Sequence, residues 1–571
     1  MLPPSLVLLS SLLVALAHAG SPVDVTFPAE SSAIARGNVI EDNFIGISWE
    51  LSSFNTLWGK SVDQQPNAMQ NYLHNIAVRL SKPLRIRVGG NGMDGSTYVP
   101  SQKSVLEFSD PNAYFNDIPV NFGPALFDIM NGMYDKVGAM EFMIGLSMRN
   151  PDAWDNVVEL AVAAEEKLGD KLDAMLLGNE PDLYAGHGER DAYTIDDYVR
   201  FSLLSFSIGA DSGQIPEVGE VLDELSETGA LNQSIMAGPT VCCQWDLDDI
   251  FEAGFDQYDY KYYTIQRYPN NACQGETPEN TNLTYYLTHA NVGKYLGWQK
   301  KGMDVARQRN VPVIMTEYNS VACGGSNISS TFGAALWAID VGLKAASMNY
   351  SAVFLHTREY GVQYNLFDPP TPEASTSAGW RTGSPYYSAL FLAEITDTSG
   401  SVVVDLNLGN STTDQFAKIA GYGIYEDGGS TRGRLVFFNY ANPDSDGDDA
   451  TQQFRVPANV TDQVDYRILA APDVTERTNI KWAGQTVGPN GDLEGDQETI
   501  TVNCKNGCLI DVPGPGVVLV MLGSEREGRL FTGNSTIAPY QYLSNDALVD
   551  FGPSRTTLVV AASLVILMLF S

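Results

Sequence analysis

Short apolar segments of strand type recur eight times between residues 44 and 357, at 44–49, 84–88, 140–146, 172–177, 235–238, 262–265, 311–316 and 352–355. Between them, segments such as 154–168, 198–208, 292–309 and 332–348 have the apolar spacing of amphipathic helices. Strand and helix alternating in this way predict an α/β fold, a parallel (β/α)8 TIM barrel. An open, doubly wound sheet is the alternative.

The sequence changes character after residue 395. Apolar and polar residues now alternate, as in 433–441, 464–471 and 516–522, and Gly, Asp, Asn and Pro interrupt these segments. This pattern predicts a C-terminal antiparallel β-sandwich at 396–525, following a barrel at 20–395. The early segment 23–28 is expected to add a strand to the sandwich.

The two ends of the chain carry export patterns. Residues 1–19 are largely apolar and end in Ala17-His18-Ala19, the small-x-small pattern of a cleaved signal peptide. Residues 526–547 form a polar tail, and 548–571 end in an apolar stretch too short to span a membrane, with the spacing of a GPI-attachment signal. We therefore expect a secreted protein that a GPI anchor holds to the cell membrane or wall. A cleaved or loosely membrane-bound tail is the alternative.

The charge of the chain excludes one class of partner. Its 69 acidic residues outnumber 34 basic ones, which gives a net charge of −35. Such a field repels phosphate backbones and sulfated glycans, so neither nucleic acid nor a heparin-like glycan is an expected partner.

Six cysteines in an oxidising compartment predict disulfide bonds. Cys504 and Cys508 are expected to close a local turn. The other four permit three pairings, and they are Cys242, Cys243, Cys273 and Cys323. None of them has the paired spacing of a zinc site, so no metal is expected. Seven N-x-S/T sequons are typical of a glycosylated surface.

Two glutamates directly follow predicted strands. Glu180 follows strand four in Gly178-Asn179-Glu180-Pro181, and Glu317 follows strand seven. Active-site groups of a (β/α)8 barrel lie at the carboxyl ends of its strands, so both are expected at the mouth. Either glutamate alone is as readily a capping or loop residue. Together they form the carboxylate pair that cleaves glycosidic bonds.

These segments resemble glycoside hydrolase family 79, which contains β-glucuronidases and heparanase-like enzymes. The resemblance rests on Asn179-Glu180-Pro181, Thr316-Glu317-Tyr318-Asn319-Ser320, the following Cys323-Gly324-Gly325, and Arg87-Val88-Gly89-Gly90-Asn91. It implies a retaining mechanism without a cofactor, in which Glu180 is the acid/base and Glu317 the nucleophile. It also implies that Asn179 binds the sugar hydroxyl next to the anomeric carbon.

The glycines after strand two form Gly90-x-Gly92-x-x-Gly95, formally a dinucleotide-binding pattern. No helix is predicted after them to hold a pyrophosphate. We therefore expect these glycines to let the backbone approach a sugar, with Asn91 and Asp94 as polar contacts. A plain turn is the alternative.

Other strand ends are expected to select the sugar. Glu50 is placed to bind sugar hydroxyls. Tyr268, Tyr364 and the amides of Gly324 and Gly325 are placed to bind a substrate carboxylate, with an aromatic core or rim role as the alternative for the tyrosines.

Basic and histidine side chains near the mouth are few. Arg267 is the one basic residue expected at a nearby strand end, and its role is open. His187 and His356 are expected at the mouth, where a histidine satisfied within a loop or core is the more typical interpretation than a substrate contact.

These observations predict a secreted, retaining exo-β-glucuronidase that removes terminal β-glucuronic acid, with or without a methyl group on O4, from a glycan. Two alternatives stay open: a neutral-sugar β-glycosidase of the same clan, resembling glucosidases or xylanases, and an inactive glycan-binding wall protein. The sequence does not predict an oligomeric state.

Overall fold

The computed structural model describes residues 21–33, 37–109, 118–199, 217–229, 235–358, 361–370, 379–443 and 450–523. The predicted signal peptide, polar tail and anchor signal lie outside these ranges. Among the helices that are described, none combines the length and apolar character needed to cross a membrane.

Eight parallel strands close into a barrel in chain order. They are β1 (Ile45–Glu50), β2 (Leu84–Gly89), β3 (Met140–Leu146), β4 (Leu172–Leu177), β5 (Met236–Val241), β6 (Tyr262–Arg267), β7 (Val313–Tyr318) and β8 (Tyr350–Thr357). The ladder between β8 and β1 closes the ring. The predicted TIM barrel is confirmed, and the open-sheet alternative is wrong.

Helices cover the outside of the barrel. The longer ones are α1 (Asn67–Ala77), α2 (Ala125–Val137), α3 (Trp154–Leu168), α4 (Glu217–Thr228), α5 (Leu247–Glu252), α6 (His289–Leu296), α7 (Lys300–Arg309), α8 (Phe332–Ser347) and α9 (Ser384–Leu392). The predicted helix at 198–208 begins as Ile195–Val199, and its remainder lies outside the described residues.

The C-terminal domain is a sandwich of two sheets. Its main strands are β9 (Val402–Asp405), β10 (Ile419–Glu426), β11 (Thr431–Asn439), β12 (Gln452–Val456), β13 (Gln463–Ala470), β14 (Ile500–Asn503), β15 (Cys508–Val512) and β16 (Gly516–Leu522). The larger sheet runs β9-β10-β11-β16-β13, and the smaller one joins β12, β15 and Val23–Asp24. Phe437 and Phe454 stack between them with ring centroids 4.5 Å apart. The predicted antiparallel sandwich is confirmed.

Both faces of the larger sheet are buried because its side chains alternate. Leu435 and Phe437 of β11 face the sandwich core, whereas Val436 and Phe438 pack into the core shared with the barrel. Helix α8 lies at this junction and is apolar on nearly all sides. The sandwich therefore completes the hydrophobic cover of the barrel.

A buried polar cluster joins the two domains at α6 and α8. His289 Nδ1 lies 3.0 Å from both carboxylate oxygens of Asp340, and Nε2 lies 2.9 Å from Asp405 Oδ2. Tyr440 donates to Asp340 at 2.8 Å, and Lys344 donates to Asp405 at 2.6 Å. Burial alone would lower the pKa of His289, but the two carboxylates outweigh it and raise that pKa to about 9.

We expect His289→Gln to lower the free energy of unfolding by about 3 kcal/mol near neutral pH, because two buried carboxylates lose a cationic partner. The pKa of His289 is raised on folding, so its contribution is complete below about pH 6.5 and is lost as pH rises to about 9. Denaturant unfolding across this range should show the decline in the wild type and not in the variant. His187→Gln, at a histidine whose side chain is 47% exposed, is the control. The same pH dependence in His289→Gln would contradict the assignment.

Candidate active site

Glu180 and Glu317 lie at the carboxyl ends of β4 and β7, inside the mouth of the barrel. Glu317 belongs to β7 and is 8% exposed. Glu180 follows β4 with left-handed backbone (φ 51°), and its N–H donates to the Thr240 carbonyl of β5 at 3.0 Å. Burial, followed by the negative charges of Glu317 and Asp182, raises the pKa of Glu180 well above its usual value. The two predicted catalytic carboxyls therefore share one electrostatic site.

The Glu317 carboxylate accepts a hydrogen bond at each oxygen. Arg87 Nη1 donates to Oε2 at 2.7 Å, and the Tyr268 hydroxyl donates to Oε1 at 2.8 Å. Burial and the charge of Glu317 raise the pKa of Tyr268 well above its usual value, so its hydroxyl stays protonated. The two donors hold the carboxylate in a fixed orientation, with one hydrogen bond at each oxygen.

Arg87 is the cation at the centre of the site. Only 1% of it is exposed, and it also donates to Ser48 Oγ at 3.0 Å and to Asn179 Oδ1 at 2.6 Å. A β-carbon at Gly89 would lie 2.5 Å from Arg87 Nε, so glycine is needed there for the guanidinium to fold over the strand end. Arg87 was not predicted as a site residue, although an arginine near the carboxyl end of a buried strand is a signal for it.

Arg267 lies elsewhere. Its guanidinium packs over the ring of Trp298, 4.3 Å from the ring centroid, among the outer helices. Strand alternation is the reason, because the preceding Gln266 points into the barrel. The expectation that Arg267 is the one basic residue near the site is therefore wrong, since Arg87 and Arg358 lie there.

Asn179 and Asn91 come together beside the two glutamates. Asn179 Nδ2 donates to Asn91 Oδ1 at 2.7 Å. The Gln266 amide lies between Asn179 Oδ1 and Glu180 Oε1, 3.0 Å from each. Gln266 is a further site residue that was not predicted, because its position inside the barrel depends on where β6 begins.

Glu50 occupies the space left by the glycine pattern. It is 2% exposed, its Oε1 accepts the Gly92 N–H, and its Oε2 lies 3.6 Å from His356 Nε2. A β-carbon at Gly90 would lie 2.3 Å from one carboxylate oxygen, and one at Gly92 2.7 Å from the other. The expectation that these glycines admit a sugar is thus wrong at both positions, because they admit the Glu50 carboxylate.

A one-turn helix, Gly90–Asp94, directly follows β2, contrary to the expectation of none. The segment contains two glycines, which are unfavourable in helices, so the sequence did not predict a helix there. The N–H of Gly92 in its first turn is bound by Glu50, which excludes a pyrophosphate at that place. Burial would raise the pKa of Glu50, but Arg358 and His356 outweigh it and lower that pKa.

Asp94 is the last residue of this helix and is 4% exposed. One oxygen accepts the Met148 N–H at 3.3 Å, and the other accepts the Tyr184 hydroxyl. Burial raises the pKa of Asp94 to about 6. The carboxyl binds protein groups on both sides, so its geometry supports a structural role rather than the predicted sugar contact.

The remaining predicted residues line the β6, β7 and β8 ends. The Tyr364 ring is 2% exposed, and its centroid lies 6.1 Å from those of both Tyr268 and His356. The Gly324 carbonyl accepts the Gln363 N–H at 2.8 Å, which joins the loops after β7 and β8. A disulfide between Cys273 and Cys323 joins the loops after β6 and β7.

The two histidines predicted at the mouth differ in their surroundings. His356 is buried between Glu50 and Glu317, 3.6 Å from each carboxylate, whereas the His187 side chain is exposed. In the part of the chain that the structure describes, no group of three or more His, Cys, Asp and Glu residues could hold a metal ion.

Comparisons with known proteins relate the chain to glycoside hydrolases. The model of the glycosyl hydrolase family 79 C-terminal β domain matches residues 421–519. A β-glucuronidase of Aspergillus niger is 28% identical over 507 residues, which cover 83% of this chain and 88% of that protein. A β-glucuronidase of Neurospora crassa is 26% identical over 380 residues, which cover 63% and 64%. The chain is a glycoside hydrolase. Its resemblance to family 79 is confirmed.

Solved structures support the fold. A 4-O-α-L-rhamnosyl-β-D-glucuronidase from Fusarium oxysporum aligns over 88% of this chain and 100% of that chain, with 20% identity and a TM-score of 0.70. An arabinofuranosidase structure aligns over the same share of this chain and 100% of its own, with 14% identity and a TM-score of 0.55. At such identities the likeness concerns the barrel and sandwich alone.

We expect Arg87→Lys to lower kcat/KM for an aryl glycoside by about a hundredfold, because one ammonium nitrogen cannot reproduce the planar fork whose two nitrogens reach Glu317 and Asn179. Arg267→Lys is the matched control, with activity close to wild type. Thermal melts would establish that both variants are folded. Comparable losses in the two variants would contradict a role for Arg87 in the site.

Proposed function

We propose that the protein is a secreted, retaining exo-β-glucuronidase that removes terminal β-glucuronic acid, with or without a methyl group on O4, from a glycan. The observation that carries this proposal is the pair of carboxyls in opposite surroundings. Glu317 is held between Arg87 and Tyr268, while burial and neighbouring charges raise the pKa of Glu180 well above its usual value. One carboxyl is thus suited to attack and the other to donate a proton.

The reaction proceeds in two steps. Glu317 attacks the anomeric carbon while Glu180 gives its proton to the leaving oxygen, which forms a covalent glycosyl-enzyme and frees the aglycone. Glu180, now ionised, takes a proton from water as the water oxygen attacks the same carbon. Glu317 leaves as a carboxylate, and Glu180 is protonated again.

The balance of charges at the mouth supports an acidic sugar as the substrate. With Glu180 protonated, the negative charges of Glu50 and Glu317 face two guanidiniums. Arg358 Nη1 lies 4.0 Å from Glu50, and Arg87 lies 2.7 Å from Glu317. A glucuronate is therefore not repelled at close range, although the whole chain is strongly acidic. Both curated relatives named above carry the name β-glucuronidase.

Hydrolysis of aryl β-glycosides that differ only in bearing a carboxylate or a hydroxymethyl group tests the substrate class. A preference for the hydroxymethyl substrate would favour the neutral-sugar alternative. No turnover of either would favour the glycan-binding alternative.

The three disulfides support the proposed export, because disulfide bonds persist in an oxidising compartment. Sequencing the mature N-terminus tests this part of the proposal.

Retention of configuration is the expected stereochemical outcome. Proton NMR of the first-formed sugar should show the β-anomer, and Glu317→Gln should abolish turnover. Glu180→Gln should keep kcat/KM for dinitrophenyl glycosides, which need little protonation, and should lose it for phenyl glycosides. Wild-type activity should fall as pH rises through the raised pKa of Glu180, because the acid form is then lost. An α-anomer as first product would contradict Glu317 as nucleophile.

The two tyrosines should differ. Tyr268→Phe removes a donor from Glu317, so we expect equal losses of kcat/KM on aryl glucuronide and aryl glucoside. Tyr364→Phe should lower kcat/KM for the glucuronide alone, by about tenfold, if its hydroxyl binds the substrate carboxylate. Equal losses in Tyr364→Phe would show that this ring only shapes the pocket.

A further inference from the structure

A disulfide joins two adjacent residues, Cys242 and Cys243, directly after β5. The sequence left three pairings of four cysteines open. In the structure Cys242 is bonded to Cys243, and Cys273 is bonded to Cys323. Bonding neighbouring side chains closes a small ring that contains the peptide bond between them, which restricts the backbone at that point. The turn after β5 is therefore restricted, and β5 is the neighbour of β4, the strand that Glu180 follows.

This turn presents its amides to a single buried carboxylate. Cys243 and Gln244 donate their N–H groups to Asp182 Oδ2 at 2.7 and 2.8 Å, and Cys242 donates to Oδ1 at 3.1 Å. Asp182 is 4% exposed. Successive amides that converge in this way form a strong anion cradle. The β4 and β5 loops are thereby locked together at Asp182.

Asp182 is two residues beyond Glu180. Backbone hydrogen bonds at Glu180 add to the contacts that Asp182 makes. The Glu180 N–H donates to the Thr240 carbonyl at 3.0 Å, and its own carbonyl accepts the Leu183 N–H at 2.8 Å. Glu180 has a left-handed conformation that is unfavourable for a non-glycine residue, so its surroundings must hold it there. The hydrogen bond from Glu180 to Thr240 of β5, and the bonds from the turn after β5 to Asp182, supply that hold.

We propose that the Cys242–Cys243 disulfide and Asp182 form a positioning unit that holds the Glu180 carboxyl toward the leaving-group oxygen. This inference rests on the proposed role of Glu180 as acid/base. Neither the disulfide nor Asp182 is required to touch the reacting atoms. Reduction of the disulfide or loss of the carboxylate would loosen the turn and misplace the acid while leaving the nucleophile in place.

The charges that face Glu180 come from every side of the mouth. Glu317 on β7, Glu50 on β1 and Asp182 raise the pKa of Glu180, and Arg87 on β2 lowers it. The Tyr268 hydroxyl after β6 also lies close enough for the charge of Glu180 to raise its pKa. Asp182→Asn should therefore both loosen the turn and lower the pKa of Glu180, which moves the alkaline fall of activity to lower pH.

The test compares leaving groups. In Cys242→Ser/Cys243→Ser and in Asp182→Asn, we expect kcat/KM to fall at least about tenfold for phenyl glycosides and to change less than about twofold for dinitrophenyl glycosides. Cys504→Ser/Cys508→Ser, which removes the remote disulfide of the sandwich, is the matched control and should match wild type on both substrates. Asp182→Asn serves alone if the double variant does not fold.

Equal losses on both leaving groups, or no loss on either, would overturn the proposal. Glu180→Gln is measured beside these variants as a reference. If Glu180→Gln itself shows no dependence on the leaving group, the assignment of the acid/base fails. If Glu180→Gln shows it and the disulfide and Asp182 variants do not, only the positioning unit fails.

Discussion

The arrangement of the site depends on the buried guanidinium of Arg87. A buried charge is costly unless it is paired and hydrogen-bonded, and the two terminal nitrogens of Arg87 bind groups from β1, β7 and the end of β4 at once. These strands lie on different sides of the barrel, so the side chain reaches them only because the ring is closed. One cation therefore fixes the nucleophile, Asn179 and the β1 wall relative to each other.

The same cation explains how two glutamates at one mouth take different roles. Glu317 has Arg87 and Tyr268 as donors, whereas Glu180 has an amide neighbour and faces the charges of Glu317 and Asp182. The chemical difference between the two carboxyls thus arises from their partners and not from their residue type. Glu50 contributes a third charge, which His356 and Arg358 stabilise at the opposite wall.

Features that depend on periodicity were predictable from the sequence, and features that depend on contacts across the barrel were not. The eight strands, the sandwich and the place of Glu180 and Glu317 at the mouth follow from apolar spacing and from position after a strand. Arg87 and Gln266 were missed because their importance depends on the direction in which a strand side chain points. The glycines at 90 and 92 were given the wrong occupant, since the carboxylate that fills their space comes from Glu50, about forty residues earlier.

Contacts between neighbouring loops fix the rim of the barrel, which is formed by the loops that follow the strands. Asp182 ties the loops after β4 and β5, the Cys273–Cys323 disulfide ties those after β6 and β7, and Gly324 ties the latter to the loop after β8. Each catalytic glutamate is therefore followed by a loop that is fastened to its neighbour. Because proton transfer tolerates little misplacement of the acid, a rim built from fastened pairs can vary its outward side chains, and hence its choice of sugar, without disturbing the two carboxyls.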